Sequence, residues 1–201
     1  MDKYSLNITI QKNFSNLLSP YENSLESIIQ ITKAFSFANK AHHGKFQDDG
    51  VTPYIGHPIR VALILSEELS LRDKDLICAS LLHDVLNHKY ANQINTDELK
   101  CIISDDVYDL IKNVQLPKLS NNITYEQNLD NFSSIILKSP KTIKYLVIAD
   151  RLDNVRMLKI SKQKDKAFRY KEETQKYFLP IASQMDDKLS FKLSVALYEI
   201  K

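Results

Sequence analysis

Ala79-Ser80-Leu81-Leu82-His83-Asp84-Val85-Leu86 sets an imidazole and a carboxylate side by side inside an otherwise apolar run. A charged carboxylate among such neighbours is costly unless it is paired or holds a metal. The dipeptide therefore asks for a partner, and a divalent cation answers for both side chains at once. A buried His–Asp hydrogen bond that ties helices together is the other reading. The run itself reads as helix, and the rest of the chain agrees. Its three glycines, Gly44, Gly50 and Gly56, fall within one short stretch, so the residue that turns and bulges prefer is absent elsewhere. Long apolar-periodic runs without strand-like alternation predict an all-α bundle with one special loop.

Outward from this run, Leu25, Ile28, Ile29, Ile31, Ala34, Phe35, Ala38 and Ala41 recur at helical spacing after Ser24 and define a first long helix. Gly44 to Gly56 is the loop. Pro58 suits the first turn of a second helix, and Asp73 or Asp75 starts a third, which is expected to carry His83 and Asp84. Asn95 or Thr96 and Asp105 look like caps of two short helices that end near Pro117. Thr124 opens another helix toward Leu137. Ser139-Pro140 reads as an N-cap followed by proline at the first helical position of the helix that holds Asp150. A last helical pair runs from about Asp165, with a break at Pro180. Residues 1–23 are assigned to an N-terminal extension and 24–201 to the domain.

Two further segments extend the site. Pro53-Tyr54-Ile55-Gly56-His57-Pro58 supplies a histidine at a loop-to-helix junction, and Ile148-Ala149-Asp150-Arg151-Leu152-Asp153-Asn154 sets a carboxylate in another apolar run. His57, His83, Asp84 and Asp150 form a nitrogen/oxygen ligand set without thiolate. Such a set suits one divalent ion, manganese first, with iron, zinc or magnesium as alternatives. Four protein ligands leave positions open, as catalytic metals require.

Five blocks in order carry a family resemblance: Ala38-Asn39-Lys40-Ala41-His42-His43-Gly44-Lys45, then Pro53 to Pro58, Leu81-Leu82-His83-Asp84, Ala149 to Asn154, and Glu173-Thr174-Gln175-Lys176-Tyr177-Phe178-Leu179-Pro180-Ile181-Ala182. Over roughly residues 30–185 the chain resembles the HD-domain hydrolases of the RelA/SpoT alarmone superfamily, in the manner of the small, stand-alone, animal-type SpoT homologues. The resemblance implies an HD-domain helical bundle and a metal-dependent enzyme that removes the 3′-pyrophosphate from guanosine tetra- and pentaphosphate. Where the family carries a Glu-Asp pair thought to activate water, this chain has Asn87-His88. The family's nucleotide-touching arginine is absent from the stretch Lys45, Phe46, Gln47, and Val147 replaces a common lysine.

On a continuing helix, residues four apart share a face, which stacks Asn87 over His83 and His88 over Asp84. The catalytic candidates are therefore His88, a competent proton acceptor by residue type, and Asn87, which can orient water but not take its proton. A helix end with no further role is the alternative for both. Substrate-binding candidates are Lys45, Gln47, Lys118, Arg151, Asn154 and Tyr177. For Arg151 a structural salt bridge, for Tyr177 a core position and for Lys45 a plain surface position are the competing readings. Asp153 is expected to be exposed or paired with Arg156, His42 to pack near the site, and His43 to be exposed.

The formal net charge of +2 indicates neither nucleic acid nor an acidic membrane as partner. The lysine-rich stretch from Arg156 to Lys171 reads as a solvated face. No window approaches eighteen apolar residues, so no membrane span is expected. Cys78 and Cys101 lack metal-type spacing, read as small core groups among apolar residues, and suit a reduced, cytoplasmic setting. The expected partner is a pyrophosphorylated nucleotide, and a homodimer is left open. Two other functions compete: a non-catalytic alarmone- or nucleotide-binding module, favoured by Asn87-His88, and a hydrolase of another phosphorylated nucleotide, such as an adenine alarmone or NADPH, favoured by the altered loop from Lys45 to Gly50.

Overall fold

The computed structural model describes residues 7–119, 123–158 and 164–200. Among them there is no strand, only an isolated antiparallel bridge between Phe46 and Pro53, and the fold is all-α as expected. The chain forms two compact units, residues 1–112 and 113–201. No described helix is long and apolar enough to cross a membrane. The expected N-terminal extension lies partly outside the described residues, as does the middle of the stretch from Arg156 to Lys171.

In the first unit, α1 (Ile8–Leu18) packs on α3 (Gly56–Leu63), and α2 (Leu25–Ala41) and α3 both pack on α4 (Lys74–Leu82). Ser24 caps α2, and Asp73 caps α4 by accepting from Leu76 N–H at 2.8 Å, which satisfies an otherwise orphaned helical donor. α3 runs into a π-helical turn, Ile64–Glu68. α5 (Thr96–Ile102) is capped by Asn95. α6 (Asp105–Asn113) begins at Asp105, but its cap is Ser104, whose hydroxyl accepts from Val107 N–H at 3.3 Å. Cys78 lies in the core and burial pushes its thiol up to about 12, whereas Cys101, expected in the core, is exposed on α5.

The second unit holds α7 (Tyr125–Lys138), α8 (Lys141–Leu158), α9 (Lys164–Glu173), a π-helical turn (Thr174–Phe178), α10 (Leu179–Met185) and α11 (Asp187–Glu199). Thr124 and Gln127 close a full capping box at the start of α7. Ser139 is not the N-cap of α8: it ends α7, its N–H on Ile136 O and its hydroxyl donating to Ile135 O. The break expected at Pro180 is the junction of the π-helical turn with α10, where proline has no N–H to give the preceding turn.

Candidate metal centre

α4 does not carry His83 and Asp84 within it. The helix ends at Leu82, and residues 83–86 form turns closed by Val85 N–H on Leu82 O and Asn87 N–H on Asp84 O. Neither glycine nor proline stops it. The Ser80 carbonyl, which a continuing helix offers to the N–H of Asp84, is engaged by His83 Nδ1 at 2.7 Å. The helical-face argument for Asn87 and His88 therefore fails, since the two residues follow the helix rather than extend it. Asn87 is half-buried and accepts from Lys89 N–H; His88 is exposed.

The same capping bond builds the site. A carbonyl only accepts, so His83 Nδ1 carries a proton toward Ser80 O, and Nε2 is the ring nitrogen turned inward. That Nε2 lies 3.2 Å from Asp84 Oδ2 and 3.2 Å from His57 Nε2, and His57 Nε2 is 3.7 Å from the same carboxylate oxygen. All three side chains are buried. His57 is placed by the first turn of α3, where its N–H bonds Tyr54 O. Two imidazole nitrogens and a carboxylate oxygen converging away from water form a borderline donor set that fits a divalent transition metal.

One neighbour was invisible as a functional residue in the sequence. Tyr54 is buried and its hydroxyl donates to Asp84 Oδ2 at 2.5 Å. Its ring stacks on Tyr90 and also meets His42 and His57. Its signals in the sequence are its place in the Pro53-to-Pro58 block and its position three residues before His57.

His42 packs beside this cluster as expected, its Nδ1 on Tyr90 O at 2.8 Å, and His43 is exposed. Burial drives the His42 pKa down to about 4 against the opposing pull of the Tyr90 carbonyl. A histidine whose folded pKa lies below its unfolded value stabilises the fold above about pH 6.5, and that contribution is lost as pH falls toward 4. The depression corresponds to about 3 kcal/mol at most. Denaturant unfolding is expected to show stability falling between pH 6.5 and 4.5, with a shallower fall in His42→Gln. An unchanged slope in the variant contradicts this assignment.

In the loop, Gly44 and Gly50 adopt positive φ of 73° and 71°, and the Asp49 carboxylate accepts from Val51 and Thr52 N–H. Lys45 is half-buried. Gln47 is used in holding the loop: its Oε1 accepts from Arg60 at 3.1 Å and its amide donates to Pro53 O at 3.4 Å.

In the second unit, Asp150 is half-buried on α8, and Asn154, one turn on, donates to its Oδ1 at 2.7 Å. Arg151 proves structural. It is 6% exposed; its Nε bonds Thr174 Oγ1 at 2.8 Å, its Nη2 meets Glu173 Oε2 at 3.1 Å, and the guanidinium lies 3.5 Å from the Tyr170 ring centroid and 4.1 Å from that of Phe178. A guanidinium so surrounded is not presented to a phosphate. Asp153, expected to be exposed or paired with Arg156, is not exposed: at 2% it falls on the buried side of α8 with Leu152. Lys118 is exposed, and Tyr177 is buried in the π-helical turn, as the core reading had it.

Comparison with known proteins follows the same lines. The HD-domain family matches residues 34–186. A probable guanosine-3′,5′-bis(diphosphate) 3′-pyrophosphohydrolase of Synechocystis sp. is 31% identical over 159 residues, 77% of this chain and 20% of that protein. The bifunctional (p)ppGpp synthase/hydrolase SpoT of Escherichia coli K12 is 32% identical over 163 residues, 80% of this chain and 22% of that protein. The chain thus spans about a fifth of the length of these curated relatives. A solved structure, described as a metazoan ortholog of SpoT that hydrolyzes ppGpp and plays a role in starvation responses, shares the fold with a TM-score of 0.73. It is 23% identical, and the match covers 85% of this chain and 94% of that one.

Proposed function

This chain belongs to the HD-domain family, and we propose that it is a metal-dependent phosphohydrolase that removes the 3′-pyrophosphate from guanosine tetra- or pentaphosphate. The observation that carries the reading is the buried convergence of His57 Nε2, His83 Nε2 and Asp84 Oδ2, with the His83 ring oriented by Ser80 O. The names of the relatives in Synechocystis and Escherichia coli support the substrate class. Asp150 completes the ligand set by its place in the Ala149-Asp150 block, with Asn154 orienting its carboxylate.

These side chains would hold a divalent ion, manganese first, and the chemistry it would supply is Lewis-acid polarisation of a phosphoryl group and a more acidic water. The chain's own residues do the rest. Water adds to the phosphorus next to the ribose 3′-oxygen, the bond between them breaks, pyrophosphate is released, and the 3′-oxygen takes a proton from solvent to leave as the 3′-hydroxyl. Asn87 and His88 hold the places of the family's Glu-Asp pair, and on that ground His88 is assigned the water's proton and Asn87 the orientation of the attack. Lys45, Lys118 and Asn154 meet the nucleotide, whereas Tyr177 is buried in the core and Gln47 holds the loop through Arg60 and Pro53 O. Arg151 is left out of this group because its guanidinium serves Thr174 and Glu173. The two free cysteines favour a cytoplasmic setting.

The exposed, non-helical position of His88 favours one second reading, a module that binds the nucleotide without turning it over. A panel of guanosine tetraphosphate, guanosine pentaphosphate, their adenosine counterparts and NADPH, assayed with manganese for both binding and product release, separates the two. Release of pyrophosphate from the guanosine substrates supports the proposal. Binding without release supports the module, and turnover of NADPH alone redirects the substrate.

A further inference from the structure

We propose that Tyr54 is a positioning residue of the metal centre, its neutral hydroxyl fixing the Asp84 carboxylate in the orientation that a cation needs. The inference rests on the reading of His57, His83 and Asp84 as metal ligands.

Asp84 is the ligand most in need of such help. It lies past the end of α4, in a turn, so no continuing helical ladder holds its backbone. Tyr54, by contrast, is fixed from several sides. Its N–H bonds Lys45 O at 2.9 Å and its carbonyl accepts from His57 N–H at 2.9 Å, which ties the loop to the first turn of α3. Its ring stacks on Tyr90 with centroids 4.6 Å apart and an interplanar angle of 11°, and lies 5.0 Å from the His42 ring and 5.6 Å from the His57 ring. The hydroxyl at the end of this clamped ring reaches Asp84 Oδ2, the same oxygen that faces both imidazoles.

The chemistry of the donor matters. A lysine or arginine there would set a fixed positive charge beside the metal and compete with it for the carboxylate. A phenol holds one lone pair of the oxygen, leaves the other lone pairs of the carboxylate to the cation, and adds no charge. Hydrogen-bonded partners of this kind orient metal ligands, and their loss typically weakens metal binding by about ten- to a hundredfold.

Tyr54→Phe in the full chain removes the oxygen and keeps the stacked ring. Manganese titration by calorimetry is expected to show about ten- to a hundredfold weaker binding than in wild type, with an unchanged far-ultraviolet circular dichroism spectrum. Any hydrolysis should be rescued by excess manganese. Tyr90→Phe, at the other face of the stack, is expected to bind manganese as wild type does. A second measurement, independent of the variant's folding, is the tyrosine ultraviolet difference spectrum of the wild type on manganese addition, which should show a perturbed phenol. Wild-type affinity in Tyr54→Phe, or a flat difference spectrum, overturns the role of Tyr54. A wild type that takes up no manganese overturns the ligand reading itself, and that arm tells the two failures apart.

Discussion

His83→Ala is expected to purify without its metal. Wild-type protein should carry about one transition-metal ion per chain, as a single site of this type does. On the proposed ligand set, the variant loses a nitrogen whose ring is oriented by the Ser80 carbonyl. Loss of a ligand should exceed the loss of a supporting hydrogen bond, so affinity should fall by more than about a hundredfold. Elemental analysis of both proteins after identical loading, with circular dichroism to confirm the helical fold, checks this. Equal metal content would return His83 to the other reading of the sequence, a buried imidazole that ties the end of α4 to Asp84.

Asn87→Glu combined with His88→Asp is expected to speed hydrolysis. Asparagine supplies no base, and His88 sits exposed on the turn that follows α4. A positioned general base typically contributes about a hundred- to ten-thousandfold, so a large part of that range should be open to the double variant. His88→Ala alone should slow the wild-type reaction. Steady-state rates with manganese and guanosine tetraphosphate decide it. A double variant no faster than wild type, with metal and fold intact, would mean that water is activated by other residues of this chain.

Much of the helical order was legible because its signals are local. Ser24 and Thr124 cap the helices they were expected to open, and of the pairs Asp73 or Asp75 and Asn95 or Thr96 the first of each is the cap, since a side-chain oxygen two or three residues ahead of an orphaned N–H needs no tertiary partner. The end of α4 was not legible. It depends on an imidazole taking the Ser80 carbonyl, and apolar periodicity cannot report a side chain's choice of partner. Arg151 was ambiguous for a related reason: its partners Thr174 and Glu173 are distant in sequence, and only folding shows that they use up the guanidinium. His57, His83 and Asp84 were legible as a chemical set, because polar donors in apolar runs announce themselves. Tyr54 was not, because an aromatic residue beside a core histidine reads as packing until its hydroxyl is located on Asp84.

The most direct measurement strips the purified protein with a chelator, adds manganese back, and follows guanosine tetraphosphate by chromatography together with a pyrophosphate assay. The account predicts no turnover in the stripped protein. After manganese is restored, it predicts guanosine diphosphate and pyrophosphate in equal amounts. Release of single phosphates, equal turnover with and without metal, or an intact substrate in the metal-loaded protein would contradict it.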